Sequence, residues 1–583
     1  MFSVLGKIFW FFKKHKKRYA VAVTLLIIVS ILDVIPPMLI GWAIDDIQFG
    51  TMTPERLREL VLFYGGLIIV SYSLTYIWMY QLFGGAFLLE RMMRFSFFKH
   101  LLRMTPTFYE KNRTGDLMAR ATNDLKAISV TAGFGILTLV DATIFMFVII
   151  AVMGFVISWP LTIAALLPMP IMALAMNIYG KIIHKRFMAA QDSFGDMNDY
   201  VLESIAGVRV NRAYVQEKAD QERFKSMTDK VFARNMAVAR TDSLFEPTIK
   251  ILVGISYVIG LGYGAYLVFH NSITLGELVS FNVYLGMLIW PMFAMGELIN
   301  IMQRGNASLD RVNTTLSYKA DVPDAADSIV MTLPPGTIEF NNVRFSYPSS
   351  TVENLKDISF SLQPGQTLGI VGKTGSGKTT LVKQLLREYP LGEGEISISS
   401  IPLETISIDS LHDWIGYVPQ EQILFSRTIR ENILFGHSEA TETEIRNALR
   451  LAAFEQDILT LPNGLDTLVG EKGVSLSGGQ KQRISLARAL IKKPDILILD
   501  DAMSAVDGKT ESTIITHLRT ERKGKTTFIT AHRISAVQEA DWILVLDNGS
   551  IIEEGTHQQL LERGGWYKEQ FDRQQADSFG EVI

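Results

Sequence analysis

The chain has 583 residues and contains no cysteine. Disulfides, thiolate zinc sites and cysteine nucleophiles are therefore excluded, although this absence does not choose a cellular compartment. Positive charge is not in excess either. The chain has 56 Lys and Arg residues and 60 Asp and Glu residues, which gives a formal net charge of -4. Nucleic-acid binding depends on dense Lys and Arg surfaces, so this balance argues against a nucleic-acid partner.

Apolar residues, by contrast, are abundant. They make up 48% of the chain, and the mean hydropathy of +0.21 is too high for an ordinary soluble enzyme. A basic run at residues 13–18 precedes the first apolar stretch, an order typical of a secretory signal and also of a first membrane span. We favour a span, because the stretch continues to about residue 47 without a clear cleavage site.

Six stretches have the ~20 mostly apolar residues that a bilayer-spanning helix needs. They lie at residues 19–46, 59–82, 133–157, 161–181, 247–270 and 275–301. An even number of spans puts both chain ends on one side of the membrane. The expected outer loops hold only Arg56 and Arg58, whereas the N-terminus and residues 91–130 and 182–245 are rich in basic residues. The basic segments and both termini are therefore predicted to face the cytoplasm.

The two long cytoplasmic segments lack linker composition, which favours helices that leave the membrane and return. A leg of about 20 residues reaches roughly 30 Å from the bilayer, far enough to contact a separate domain. We expect the turns at Thr114-Gly115-Asp116-Leu117 and Ala206-Gly207-Val208-Arg209, where a glycine interrupts the helical pattern. A solvated helical hairpin is the alternative interpretation.

Ionisable side chains inside spans are costly and often functional, which singles out Asp33 and Asp141. Each carboxylate has either a substrate or proton role, or simply pairs with a neighbouring helix. Several aromatic and methionine side chains are candidates for an adaptable cavity, or for interfacial belts and helix packing. They are Tyr76, Trp78, Met79, Trp290, Met292, Phe293 and Met295.

The pattern divides the chain into an all-α membrane domain at 1–305, a polar linker at 306–335 and a soluble α/β domain at 336–583. Alternating residues at 337–345 and 358–362 predict an antiparallel sheet. Buried-type runs at 367–371, 496–499 and 527–530 predict parallel core strands between helices.

A glycine-rich loop follows the strand at 367–371 and precedes a helical pattern. It reads Gly372, Lys373, Thr374, Gly375, Ser376, Gly377, Lys378 and Thr379, followed by Thr380. Such a loop points backbone N–H groups at phosphates, while Lys378 reaches the β and γ oxygens and Thr379 offers a hydroxyl to Mg²⁺. The sequence thus predicts an ATP and Mg²⁺ site.

A second element fits the same site. The apolar run at 496–499 ends in Asp500 and Asp501, as expected of a buried strand that delivers a carboxylate to magnesium. A strand that ends in acids is common by itself, but it becomes informative when a phosphate loop lies about 120 residues upstream.

A run of five residues distinguishes this sequence from other ATPases: Leu476, Ser477, Gly478, Gly479 and Gln480. With it, the chain resembles the ATP-binding cassette (ABC) superfamily. Further matching elements are Tyr347 ahead of the phosphate loop, Gln420 after Tyr417-Val418-Pro419, Ser504 to Asp507 after the acids, and His532 after the next strand.

The resemblance implies roles for these residues. Tyr347 stacks on adenine, Gln420 senses Mg²⁺ and the attacking water, and His532 bonds the γ-phosphate. Ser477 and Gly479 act on ATP held by a second cassette, so that the chain must dimerise.

The membrane half is similar to ABC exporters with six spans ahead of one cassette, located in a bacterial plasma membrane. Two segments resemble the exporter pattern: Val469 to Gly473, which meets a partner's intracellular loop, and Gly115 to Leu117 with Arg120 to Asp124, the first coupling region. The resemblance implies an ATP hydrolase that moves lipophilic compounds, including multiple drugs, out of the cytoplasm or inner leaflet.

One position departs from the family pattern. Most active cassettes have Glu directly after the magnesium-binding Asp, whereas this chain has Asp501. The Asp side chain is about 1.5 Å shorter, and misplacing a reacting group by an ångström costs about a hundredfold in rate. The chain thus combines a shortened carboxylate at Asp501 with an intact run Leu476 to Gln480, here called the signature. This combination resembles one half of an asymmetric heterodimer with one degenerate site, although a homodimer is an alternative.

Two other functions stay open. A cavity lined by apolar and aromatic residues also suits a lipid or peptide exporter, which drug stimulation in lipid vesicles would distinguish. A weakened carboxylate also suits an ATP-sensing regulatory membrane subunit without transport of its own.

Overall fold

The computed structural model describes residues 3–325, 327–331, 333–470 and 474–580, without the side chains of 577–580. The chain falls into two units. Unit 1 comprises Met1–His100 and Gly115–Ser317, and unit 2 comprises Leu101–Thr114 and Tyr318–Ile583. The short segment Leu101–Thr114, which lies inside the membrane domain expected at 1–305, thus belongs to unit 2.

Every described element of unit 1 is helical. In chain order the helices are α1 Ser3–Lys7, α2 Phe9–Lys14, α3 Lys16–Leu32, α4 Ile35–Gln48, α5 Pro54–Leu101, α7 Thr114–Ala119, α8 Leu125–Ala132, α9 Phe134–Val140, α10 Met146–Val152, α11 Trp159–Leu166, α12 Pro168–Ala206, α13 Val208–Ala213, α14 Glu217–Asp242, α15 Phe245–Phe269, α16 Leu275–Met287 and α17 Ile289–Ser317. Short π-helical turns join α7 to α11 at Arg120–Asp124, Asp141–Phe145 and Met153–Ser158.

Five helical stretches among the described residues are long and apolar enough to cross a bilayer. They are Lys16–Gln48, Pro54–Leu101, Thr114–Leu166, Glu217–Phe269 and Leu275–Ser317. The predicted span at 161–181 is not one of them, because α11 ends at Leu166 and α12 begins at Pro168. Proline lacks an N–H and starts helices readily, so it divides this apolar stretch between two helices.

The two predicted turning points have different outcomes. The second is confirmed, since Gly207 separates α12 from α13. The first is wrong, because Thr114 to Leu117 lie inside α7, while the chain turns upstream, between the end of α5 and Thr114. That turn carries a short helix, α6 Pro106–Lys111, which belongs to unit 2. The expected first coupling region, Gly115 to Leu117 with Arg120 to Asp124, lies downstream of this turn, in α7 and the π-helical turn that follows it.

Helices α4 and α16 pack at very short range. A Cβ atom built on Gly276 would lie 2.0 Å from the carbonyl oxygen of Gly41. Asp45 accepts hydrogen bonds from Thr274 Oγ1 at 2.6 Å and from the Gly276 N–H at 2.7 Å, and Ser280 Oγ donates to Pro37 O at 2.7 Å. Small residues let the two backbones approach closely, and the hydrogen bonds between α4 and α16 stabilise this packing in apolar surroundings.

Unit 2 contains two sheets. Its elements are β1 Ile338–Ser346, β2 Glu353–Leu362, β3 Thr367–Gly372, α18 Lys378–Leu385, β4 Glu393–Ile398, β5 Ile401–Pro402, α19 Ile408–Trp414, β6 Ile415–Val418, α20 Ile429–Leu434, α21 Glu442–Leu451, α22 Glu455–Thr460, α23 Gly478–Leu490, β7 Ile496–Asp500, α24 Gly508–Glu521, β8 Thr526–Thr530, β9 Trp542–Asp547, β10 Ser550–Gly555, α25 His557–Arg563 and α26 Trp566–Gly580.

The smaller sheet has the antiparallel order β2-β1-β4-β5, and the larger has the order β10-β9-β3-β8-β7-β6. Strands β3, β8, β7 and β6 run parallel, and every residue of β7 and β8 is buried. The predicted antiparallel strands and the predicted parallel core strands are thus confirmed. Parallel strands present their carboxyl ends at one edge of the sheet, which is where ligands bind in such folds.

We predict that Gly276→Ala destabilises unit 1 by about 1–3 kcal/mol, because the new methyl group would overlap the Gly41 carbonyl. The measurement is the thermal unfolding midpoint of the purified protein in detergent. Gly262→Ala is the matched control, since a Cβ there would meet no described atom within 4 Å. Equal midpoints for the two variants would contradict the close packing of α4 on α16.

Candidate functional site

The phosphate loop connects β3 to α18 and depends on glycine at both of its ends. Gly372 has φ +150°, and a Cβ there would lie 2.1 Å from Leu546 O. Gly377, just before α18, has φ +104°, and its Cβ would lie 2.8 Å from Asn354 O. A side chain at either position would therefore clash with backbone. A Cβ on Gly375, by contrast, would meet no described atom within 4 Å.

Two polar groups of this loop fit an anion. Lys378 is buried, and its Nζ donates to the carbonyl oxygens of Gly372 at 2.8 Å and Lys373 at 3.0 Å. Burial lowers the pKa of this lysine, against the opposing effect of Asp501 and Asp500. Ser376 Oγ is buried without a hydrogen-bond partner among the described residues. Unpaired buried hydroxyls are costly, so the loop is complementary to phosphate oxygens.

Asp500, at the end of β7, is arranged to hold a cation. Its Oδ1 accepts hydrogen bonds from Thr379 Oγ1 at 3.0 Å and from Thr530 Oγ1 at 2.7 Å. Asp500 is only 1% exposed, and its Oδ2 has no hydrogen-bond partner in the described part of the chain. A buried carboxylate oxygen beside a threonine hydroxyl is a ligand set that Mg²⁺ prefers. The residues present therefore fit Mg²⁺.

Asp501 lies in the next position but in a different environment. Its φ of +49° is a left-handed conformation, and its N–H donates to Thr530 O and Oγ1 at 3.1 and 3.0 Å. Burial raises the pKa of its carboxyl, while His532 and Ser504 oppose this shift. Thr530 thus orients both acids of the pair, a role that the sequence pattern did not reveal.

The two predicted sensors, Gln420 and His532, are both exposed. The pKa of His532 is lowered by partial burial and then by the charge of Lys378. Its backbone is held by Gln574 on α26, which donates to His532 O at 3.0 Å and accepts from the Ile534 N–H at 2.9 Å. Nothing near Gln574 in the sequence signals this contact.

Tyr347 lies beside the phosphate loop. Its hydroxyl is 3.1 Å from Thr380 Oγ1, and its ring meets that of Tyr389 edge-on with centroids 4.9 Å apart. The ring of Tyr347 is therefore fixed in place next to α18, as a platform for a stacked base requires.

The signature residues open α23 with a capping box. Ser477 Oγ accepts the Gln480 N–H at 3.2 Å, and Gln480 Oε1 accepts the Ser477 N–H at 3.0 Å. Asp457 also stabilises the start of this helix, because its carboxylate accepts hydrogen bonds from Gln480 Nε2 at 3.0 Å and from Arg483 Nη1 at 2.6 Å. Because the Ser477 hydroxyl only accepts within this cap, its own hydrogen stays free to donate to another group. Gly478 and Gly479 complete the first turn.

Comparison with known proteins identifies the architecture. Residues 19–292 match the model of the ABC transporter transmembrane region, and residues 355–504 match the ABC transporter model. The chain is 61% identical to "Probable multidrug resistance ABC transporter ATP-binding/permease protein YheI" of Bacillus subtilis (strain 168), over 99% of this chain and 98% of that protein. It belongs to the ABC transporter family.

Two further comparisons agree. The transporter is 40% identical to "Multidrug resistance-like ATP-binding protein MdlA" of Escherichia coli (strain K12), over 99% of this chain and 97% of that protein. Its fold matches the structure of a bacterial Atm1-family ABC exporter with ATP bound, with a TM-score of 0.80, 26% identity and coverage of 96% and 99% of the two chains. An ABC membrane domain is thus fused ahead of an ABC ATPase domain, and the transporter resides in a membrane.

In the structure of the transporter the predicted magnesium residues Thr379 and Asp500 are hydrogen-bonded to each other, and Lys378 lies next to Thr379 at the start of α18. The structure also reveals residues without a clear sequence signal. On the ATPase domain's α23, buried Gln482 donates to Ser504 Oγ at 3.1 Å and accepts the Ala505 N–H at 3.0 Å. Gln482 therefore links the signature helix to the loop after Asp501. In the predicted loop-contacting segment Val469 to Gly473, residues 471–473 lie outside the described chain.

We predict that Thr530→Val destabilises the ATPase domain by about 1–3 kcal/mol, because a buried Asp500 oxygen loses a donor and the Asp501 N–H loses an acceptor. The variant should also bind Mg-ATP about tenfold more weakly. Thermal unfolding and titration with a fluorescent ATP analogue measure the two effects. Thr530→Ser keeps the hydroxyl and is the control. A Val variant that behaves like the Ser variant would contradict the orienting role.

Proposed function

We propose that the chain is one subunit of an ATP-driven exporter that moves several amphipathic or lipophilic compounds out of the cytoplasm or inner leaflet. Support comes from its 61% identity over nearly the whole chain to a protein named a probable multidrug resistance transporter. The relatives named MdlA carry a multidrug description as well. In this proposal both termini and the ATPase domain are cytoplasmic, six spans cross the plasma membrane, and the domains divide near residues 305 and 336.

The ATP site then uses the geometry of the phosphate loop. Lys378 and the backbone N–H groups of the loop bind the phosphates, Tyr347 orients the base, and Thr379 and Asp500 hold the metal, with Gln420 beside them. Mg²⁺, when bound, neutralises charge that develops on the phosphate oxygens. His532 bonds the γ-phosphate, and Asp501 orients water.

We further propose that this site mainly holds ATP, while most turnover occurs at a composite site on a partner. The observation that carries this idea is the contrast between the short carboxylate of Asp501 and the complete signature loop. Ser477, with its free hydroxyl hydrogen, and Gly479, at the helix N-terminus, then act on ATP bound by the partner. The partner is a second half-transporter with Glu after its own magnesium-binding Asp and an altered signature. Copurification from native membranes tests whether such a chain is bound.

A lipid exporter is the second candidate. It is favoured by 32% identity, over 98% of this chain, to a protein named "ATP-dependent lipid A-core flippase".

In inside-out vesicles that contain the complex, we expect Mg-ATP to drive uptake of the lipophilic dye rhodamine 6G. Lys378→Ala should reduce the rate at least about tenfold, because it removes a charge-assisted phosphate contact. Transfer of a fluorescent phospholipid or peptide without dye uptake would contradict the multidrug proposal and support the corresponding alternative. ATP binding without transport of any of the three would favour the regulatory subunit.

A second experiment compares what this chain contributes to each of the two ATP sites of the complex. Ser477→Ala should lower ATP hydrolysis by the complex about a hundredfold, because the partner's nucleotide loses an oriented donor. Ser477→Thr keeps both the hydroxyl and the helix cap and is its control. Asp501→Asn should change the rate less than about twofold, because its site turns over little. The opposite ranking, or brisk hydrolysis by this chain alone that Asp501→Asn abolishes, would overturn the proposal.

A further inference from the structure

A carboxylate on the cytoplasmic helix α6 reaches the ATPase domain within unit 2. Glu110 Oε1 accepts a hydrogen bond from the Tyr389 hydroxyl at 2.5 Å, and Glu110 Oε2 accepts one from Ser349 Oγ at 3.2 Å. Glu110 itself is exposed, whereas Tyr389 is only 3% exposed. The carboxylate therefore contacts the hydroxyl of an otherwise buried ring, 279 residues away in the chain.

The same ring contacts the adenine platform. Tyr389 and Tyr347 meet edge-on at 83°, and Lys383 Nζ lies 5.7 and 5.8 Å from the two ring centroids. The Tyr347 hydroxyl is hydrogen-bonded to Thr380 on α18, the helix that follows the phosphate loop. A continuous set of contacts thus runs from α18 through Tyr347 and Tyr389 to Glu110.

Helix α6 is also fixed at other points of unit 2. Phe108 is 1% exposed, and its ring lies 5.0 Å from that of Tyr318. Thr105 Oγ1 is hydrogen-bonded to Asp321. With α6 held on these sides and both carboxylate oxygens of Glu110 hydrogen-bonded, a change in the position of the Tyr389 ring alters the hydrogen bond that connects it to α6.

We propose that Tyr389 is a positioning residue that transmits occupancy of the adenine platform at Tyr347 to the cytoplasmic helix α6 through Glu110. The proposal rests on the ATP-binding function proposed above. A base stacked on Tyr347 adds to the contacts that fix its ring plane, and so restricts the edge-on partner Tyr389 as well. The Tyr389 hydroxyl then stays directed toward Glu110, so nucleotide binding strengthens the existing charge-assisted hydrogen bond to α6.

The chemistry of Tyr389 suits this task. Burial raises the pKa of its hydroxyl, and the hydrogen bond to Glu110 raises it further. The phenol therefore stays protonated at physiological pH and donates while the carboxylate accepts. A phenylalanine at position 389 would keep the ring edge against Tyr347 but lose the hydroxyl donor. The substitution therefore tests the contact with Glu110 separately from the contact with Tyr347.

The experiment measures hydrogen exchange in the full transporter complex with and without the Mg²⁺ salt of AMP-PNP, a poorly hydrolysed ATP analogue. In the unaltered protein the analogue should slow exchange of amides at 101–114. Tyr389→Phe should reduce that protection about tenfold, the equivalent of a hydrogen bond to a charged group, while titration with mant-ATP stays within about twofold. Glu110→Ala should reproduce the Phe result. Ser349→Ala, which removes the other bond to the same carboxylate, should not.

A double-mutant cycle distinguishes transmission through the Tyr389–Glu110 contact from a purely structural role of each residue. Adding Glu110→Ala to Tyr389→Phe should cause no further loss of protection, because both remove one contact. If the Phe variant keeps full protection, or if it weakens mant-ATP binding as much as Tyr347→Ala does, the proposal is overturned. These readouts need neither hydrolysis nor transport. A complex that binds nucleotide and shows the exchange pattern but moves no compound would refute the proposed export and leave the relay standing.

Discussion

The ATPase domain depends on one buried carboxylate at the end of a parallel strand. Asp500 is almost fully buried, and two threonine hydroxyls satisfy only one of its oxygens. Thr379 lies in the first turn of the helix after the phosphate loop, and Thr530 ends the neighbouring strand, so this single acid connects α18, β7 and β8. A buried charge with one unpaired oxygen is unfavourable by itself, and a bound cation removes that cost. The same cost favours a cation beside Asp500 at this edge of the sheet.

The neighbouring acid lies in a different environment. Asp501 adopts a left-handed conformation, and the charges of His532 and Lys378 both oppose the rise in the pKa of its carboxyl. The hydrogen bonds of Asp500 to Thr379 and Thr530 do not involve the Asp501 side chain. The signature helix keeps its complete capping box independently of either acid. An ATP site that binds well but turns over slowly is compatible with every contact around Asp500.

Local patterns were sufficient to predict the core strands, the phosphate loop and the strand that carries Asp500, since each depends on residues close together in the chain. The first turning point was wrong because Gly115 has no packing role, while the turn upstream is set by contacts with residues near 320 and 389. Thr530, Gln482 and Gln574 were missed for a similar reason: their partners lie about 20 to 40 residues or more away, and no local periodicity encodes them. Asp33 accepts a hydrogen bond from Ser71, and Asp141 accepts one from Trp290. These pairings are consistent with the packing interpretation of both acids.

The two proposals constrain each other. If ATP at this chain's own site is held rather than consumed, hydrolysis there cannot drive any movement of the cytoplasmic helices, and only binding itself can be transmitted. In the proposed arrangement Tyr347 contacts the base, whereas Asp501 and His532 lie near the terminal phosphate. Tyr389 lies against the edge of Tyr347 with a hydroxyl directed to Glu110. A site that binds ATP without hydrolysing it therefore depends on a connection from adenine to α6 more than a hydrolytic site does. Loss of that connection would leave ATP bound but without effect on the membrane domain.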